Sequence, residues 1–391
     1  MQKHAPPQLG ANLHVQPEVK GKLRYRKTND TFEIYDKNPK LNDKNSLSLR
    51  TSFQMRIRLI TVVILSQILL SCGMIRGKMT VNTFNGVDIK KDKVYYSPII
   101  WSLDTTDNGK VRKNAFYLPV NIPEIGQKLK MQFDLGATSS AFYLKTINAL
   151  GVNSPEILKS VSVNKDRYSY ANTSIKLNDG IQLNADRIPI FRNMGHDTLP
   201  STLPVFGTLG YDIIGDNILI LDFINDSIAI VDRLPPEMES IATFIKDADL
   251  KKFPVILPFS IGKKKVRLLY DTGSSSFQVL TGTRRLKKAS LKREIDVADS
   301  VNSWGQKVYL YRAKVPRNKE NLFIGTYDLG EVDIIGTDNL NPLSLVGRYL
   351  YGIAGNIVFE NTIIIIDRKN NRFGMIKQQG IKASPFHGQS R

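Results

Sequence analysis

The stretch 268-LLYDTGSSSF-277 ends an apolar run on a carboxylate and turns at once on glycine and three serines. A carboxylate at the edge of a core costs free energy unless it is hydrogen-bonded or used in chemistry. Asp271-Thr272-Gly273 is therefore either a structural turn or the seat of a reactive acid. Alone, the tripeptide does not separate the two, because Asp and Gly are common turn residues.

The separation comes from a second copy of the same pattern. Residues 116–142, FYLPVNIPEIGQKLKMQFDLGATSSAF, parallel residues 253–277, FPVILPFSIGKKKVRLLYDTGSSSF. In each, a glycine turn (Gly126, Gly262) feeds a strand-like run that ends in Asp-x-Gly-small-Ser/Thr. Later in each copy a Gly-x-x-Gly pair, Gly207 and Gly210 or Gly352 and Gly355, precedes an aliphatic run. An aspartate, Asp222 or Asp367, follows the second glycine by 12 residues in both. Asp134 and Asp271 are 137 residues apart and Gly210 and Gly355 are 145 apart, offsets close enough to indicate an internal duplication.

The rest of residues 111–378 reads as short β-rich segments punctuated by Gly, Asn and Asp. Helical periodicity is confined to pieces such as residues 144–151 and 234–248. These features resemble aspartic peptidases of the pepsin and retropepsin type, over about residues 115–377. The resemblance implies an all-β fold: two duplicated acid-protease-like β-barrel lobes, residues 111–240 and 241–378, with a cleft between them. It implies that Asp134 and Asp271 meet as a catalytic dyad that activates water for peptide hydrolysis. Gly136 and Gly273 are expected to allow close backbone approach and positive φ. Thr272 is expected to bond across to the opposite lobe, and Ser274 to bond the outer oxygen of Asp271. Leu135 and Ala137 stand at the matching places in the first copy and have no hydroxyl. Alanine is also usual at the second of these places in retropepsins, so it is Leu135 that favours the rival reading, an inactive protein of the same fold that binds peptides or scaffolds an envelope complex. A flap over the cleft is expected between Asp134 and Gly207, with Tyr168 or Tyr170 capping the substrate. Asp222 and Asp367 are expected to be strand-end turn residues, and Asp212 is expected to carry no required charge, since Ile357 stands opposite it.

The front of the chain has another character. Residues 1–54 are polar and basic, and are expected to be a disordered extension or a mis-assigned start. Residues 55–72 carry Arg56 and Arg58 ahead of a 12-residue, mostly apolar stretch, Leu59 to Leu70, which fits a secretory signal. It ends LLSC, which resembles the lipobox of bacterial lipoproteins and uses the chain's one cysteine, Cys72. Lipidation there would tether the protein at the cell envelope through residues 73–110. An ordinary signal peptide, or a buried apolar segment with a chance cysteine, is the alternative. Residues 379–391 are expected to be a flexible tail.

Composition bounds the partners. The net charge is +19, and residues 1–71 hold 12 Lys/Arg against 5 Asp/Glu. Such a chain favours acidic partners or anionic membranes. No zinc-finger spacing, phosphate-cradling loop or arginine–aromatic stripe supports nucleic-acid binding. A lone cysteine excludes an internal disulfide, and the four scattered histidines give no pattern for a metal site or a Ser-His-Asp triad. The resemblance to aspartic peptidases implies a monomeric, cofactor-free enzyme acting on peptide or protein substrates.

Overall fold

Alternation and burial agree strand by strand. In Leu129–Phe133 and Ile256–Ile261 every second side chain is buried, as expected of strands with one face on a core. In Ile218–Asp222 and Thr362–Asp367 every residue is buried, which accounts for their unbroken aliphatic runs. The computed structural model describes residues 25–28, 31–34, 84–105, 111–151, 162–163, 169–251, 254–303, 306–338 and 350–377. Two units result, Met1–Met79 and Thr80–Arg391. In the first, Tyr25–Thr28 pairs antiparallel with Thr31–Ile34, a ribbon where no regular element was expected. Cys72 and the rest of residues 55–72, Tyr168, and residues 378–391 lie outside the described residues.

The second unit is mostly β, built on two nine-stranded sheets and one six-stranded sheet among the described residues. The strand orders form open paths rather than closed barrels. The two large sheets repeat one pattern of pairing. In the first, Val111–Val120 pairs antiparallel with Leu129–Phe133, which lies parallel to Val205–Leu209, which in turn runs antiparallel to Ala141–Tyr143. In the second, Ile256–Ile261, Lys264–Tyr270, Gly352–Ala354 and Val279–Gly282 follow in the same order with the same directions. Next come Ile181–Phe191 in one sheet and Ile334–Thr337 in the other, each parallel to its neighbour. The six-stranded sheet takes one central strand from each side of the sequence, Ile218–Asp222 against Thr362–Asp367, in antiparallel register.

The glycines that begin the pattern are required by conformation. Gly126 (φ +66°) and Gly262 (φ +53°) both occupy the left-handed region that side chains disfavour. The later glycine pairs are required by contact instead. A Cβ on Gly207 would lie 2.1 Å from the carbonyl oxygen of Ala141, and one on Gly352 would lie 2.2 Å from that of Leu280. Aromatic contacts run through both halves of the core; among them, Phe116 stacks on Phe133 at 5.4 Å and Tyr270 meets Phe359 edge-on at 5.1 Å.

Two boundaries differ from expectation. The tether does not extend to residue 110: Phe84–Ile89 pairs with Ile181–Phe191, Ser97–Pro98 with Ser227–Val231, and Ile100–Thr105 with Val111–Val120. The cause is apolar: Val87, Ile89, Tyr95, Ile99 and Trp101 pack on the main core. Helix Leu144–Gly151 forms as predicted, with Ile147 and Leu150 buried on one face. Residues 234–248 hold only a short helix, Pro236–Ile241, because Thr243–Ile245 is recruited as an edge strand against Arg372–Lys377. Among the described residues no helix is long and apolar enough to cross a membrane.

Candidate active site

Each acid sits one residue beyond the end of a buried strand. The sheet bonding continues that far: Asp134 N–H donates to Leu209 O at 2.9 Å, and Asp271 N–H to Ala354 O at 3.0 Å. The chain then turns, with Ala137 N–H on Asp134 O at 3.1 Å and Ser274 N–H on Asp271 O at 3.2 Å. Within each turn the glycine amide reaches back to its own carboxylate at 2.8 Å, Gly136 to Asp134 and Gly273 to Asp271.

The two turns face each other. A Cβ on Gly136 would lie 2.6–2.8 Å from the carboxylate atoms of Asp271, and one on Gly273 would lie 2.8–2.9 Å from those of Asp134. Each carboxyl group therefore covers the glycine of the opposite turn, which brings the two acids together across the junction of the turns. Positive φ, expected at these glycines, is not adopted at either. Their missing side chain is needed for space.

The environment is unequal. Asp134 is 5% exposed, whereas Asp271 is half-buried. Burial first, then the charge of Asp271 and the hydrogen bond to it, push the Asp134 carboxyl well above the usual carboxylate range. The amides of Gly136 and Ala137 oppose that shift by donating to it. Ser274 Oγ donates to the outer oxygen of Asp271 at 3.0 Å, as its position implied.

Thr272 makes the cross-tie. Its buried hydroxyl accepts the N–H of Leu135 at 2.8 Å and donates to the carbonyl of Phe133 at 3.1 Å. Leu135 cannot return the tie through a hydroxyl. Its side chain is fully buried in the main apolar core instead.

Two supports were not anticipated. Asn356, one residue past Gly355, donates to Thr272 O at 3.0 Å and Ser275 Oγ at 2.7 Å, and accepts from Tyr270 Oη at 2.8 Å. In the other half, Asp212 receives both the amide and the hydroxyl of Ser140 at 2.8 Å, and Ser140 Oγ accepts Gly210 N–H at 3.0 Å. Asp212 therefore holds the loop behind Asp134 by accepting both hydrogen bonds. The one sequence signal for either was a polar residue within two positions of the second glycine of each pair. Asp222 and Asp367 are turn residues as expected. Asp222 accepts the amides of Ile224 and Asn225 at 3.0 Å, and Asp367 binds Asn370 and Arg372.

Ser169–Asn178 and Ile181–Phe191 form the expected hairpin, but its Gly180 turn is pinned. A Cβ on Gly180 would strike the Tyr95 ring at 2.1–2.6 Å, and Lys90 N–H bonds Gly180 O at 2.9 Å. The opposite end offers a second ribbon, where Tyr170 pairs with Ser162 and Ser169 with Val163. Residues 164–168, with Tyr168, connect those strands and lie outside the described residues. Among the described residues no cluster of three or more His, Cys, Asp or Glu is placed to hold a metal ion.

A buried and a half-buried carboxyl group brought together in this way are able to share one proton. Such a unit can take a proton from one oxygen and give one to another. No protein-family model matches the chain, and no curated protein matches it.

Proposed function

We propose that the chain is a two-lobed aspartic endopeptidase of the pepsin and retropepsin type, with Asp134 and Asp271 as its catalytic dyad. The observation that carries this is the reciprocal seat of each carboxyl group on the other turn's glycine. The repeated order of strand pairing in the two large sheets supports duplicated lobes with the dyad at their junction. In the proposed cycle, ionised Asp271 accepts a proton from a water molecule as its oxygen attacks the scissile carbonyl carbon. Protonated Asp134 donates to the carbonyl oxygen, giving a neutral gem-diol. Return of a proton from the diol, and transfer of another from Asp271 to the amide nitrogen, breaks the C–N bond and restores the starting pair.

The assignment of acid and base follows burial. The proton belongs on the carboxyl group that water cannot solvate, and that is Asp134. Leu135 is compatible with activity under this reading, because the tie from Thr272 is made and the core fills the space of the missing one. Lipidation of Cys72 would hold the enzyme at a bacterial envelope membrane, on the periplasmic or outer-membrane side, as a monomer facing peptide or protein substrates. Several acyl chains anchor stably where one does not.

The test uses the full chain in mild detergent with a mixed peptide library, from acid to neutral pH. Cleavage that disappears in both Asp134→Asn and Asp271→Asn supports hydrolysis by the dyad. Peptide binding without cleavage at every pH overturns it in favour of a binding protein. Retention of a Cys72→Ser chain in the membrane fraction would overturn the anchor separately.

A further inference from the structure

A second concave site lies on the later half of the unit. It is a cavity of about 780 Å³, walled by the edge strand Thr243–Ile245 and floored by Ile256–Ile261 and Lys264–Tyr270. Five cationic side chains line it, Lys246, Lys264, Lys265, Arg267 and Arg285, against one acid, Asp247. Lys246, Lys264 and Lys265 make no ion pair among the described residues, and Arg267 reaches Asp249 only at 3.8 Å. Tyr351 forms part of the wall, with Lys264 over its ring at 4.7 Å and Arg285 at 5.7 Å. None of these residues belongs to the dyad or its supports.

We propose that this cavity binds an extended acidic polypeptide segment. Lys265 and Arg267 are exposed and lie two apart on one face of a strand, opposite Ser260 and Pro258. Their side chains are therefore spaced by about 7 Å, the same interval at which alternate side chains of an extended peptide stand on one face. The outer edge of Thr243–Ile245 is unpaired among the described strands, so a guest strand has backbone groups to bond. Phe244, with Arg372 over its ring at 4.3 Å, adds an apolar contact to the wall. The occupant is a segment of another polypeptide, selected by charge complementarity with the five cations of the lining. Its binding is independent of hydrolysis.

The experiment is fluorescence anisotropy on the full chain in detergent, in the Asp271→Asn background so that no probe is cut. The probes are a labelled peptide of alternating glutamate and serine and a block isomer of the same composition. The expected result is tighter binding of the alternating peptide, weakened about tenfold by Lys265→Glu with Arg267→Glu, since two rim charges each contribute modestly. Raised salt weakens it further. The milder pair Lys265→Gln and Arg267→Gln, checked for native circular dichroism, gives a smaller loss in the same direction. Equal binding of the two isomers, or no loss on charge reversal, overturns the proposal. So does binding of inorganic polyphosphate or anionic vesicles where the alternating peptide shows none.

Discussion

Replacing Thr272 by valine keeps the shape of the side chain and deletes the hydroxyl that ties the two Asp turns together. Thr272 is fully buried, and so is Leu135, whose N–H it accepts at 2.8 Å. In the valine variant that N–H is left in the core without its partner, at a cost of about 1–3 kcal/mol. Phe133 O also loses the hydroxyl that donates to it at 3.1 Å. A carbonyl that keeps a second lone-pair site loses less, so the expected total is about 2–4 kcal/mol. Thr272→Ser is the control: it keeps both hydrogen bonds and removes one methyl, costing about 1 kcal/mol. Urea unfolding of the full chain in detergent at pH 7 measures both, with midpoints compared at equal slope. The valine variant should fall below the serine variant by about 1–3 kcal/mol. If hydrolysis is present, the valine variant should also lose the larger share of it, since a displacement of about 1 Å at the reacting groups can cost about a hundredfold. Equal stability of the two variants would refute the cross-tie as a source of cohesion between the turns.

Gly136→Ala and Gly273→Ala place a methyl within 2.6–2.9 Å of the facing carboxylate, so each should force the pair apart and abolish peptide cleavage in the library assay. Unchanged cleavage in either would show that the dyad does not work in this geometry. Asp134→Asn addresses pH. Because the folded carboxyl titrates above its unfolded value of 3.8, its proton stabilises the native state at low pH, and that stability is lost as pH rises through the folded pKa. Asparagine has no such loss, so its stability relative to the parent should increase from acid to neutral pH in urea titrations; a pH-independent difference would count against the burial argument. Leu135→Thr restores the missing hydroxyl but removes buried apolar volume. A gain of about 1 kcal/mol for a hydrogen bond against a loss of about 2–3 kcal/mol leaves the variant about 1–2 kcal/mol less stable. A more stable variant would mean that the leucine is not earning its place by packing.

The parts of the site that were legible in the sequence are those in which a backbone demand admits one residue type. Gly126 and Gly262 need left-handed φ, and Gly207, Gly352, Gly136 and Gly273 need room for a neighbouring chain or carboxylate. Such demands leave a glycine at a fixed spacing, and a repeated spacing can be read without coordinates. Asn356 and Asp212 were not legible because their partners are set by folding: Asn356 reaches Thr272 across 84 residues, and Asp212 reaches Ser140 across 72. Many polar residues can follow a glycine, and nothing local says which one will find a loop to hold. The segment from Phe84 to Thr105 was misjudged for a related reason. Its apolar residues are interrupted by the charged run 90–93 and by Pro98, and it becomes ordered by adding to sheet edges that the rest of the chain provides.

The inequality of the two turns bears on the departure at Leu135. The second turn is rich in hydroxyls: Thr272, Ser274 and Ser275 all bond within it or across it, and Ser274 donates directly to Asp271. The first turn has Leu135 and Ala137 at the matching places, and its acid is the buried one. Hydroxyl donors favour a carboxylate that carries charge, while apolar surroundings favour one that keeps its proton. An acid–base pair needs one of each. The leucine and alanine that remove hydroxyls from the first turn therefore act in the same direction as burial, toward a protonated Asp134. On this account the loss of symmetry between the halves divides the roles of the pair, and restoring hydroxyls to the first turn should blur that division.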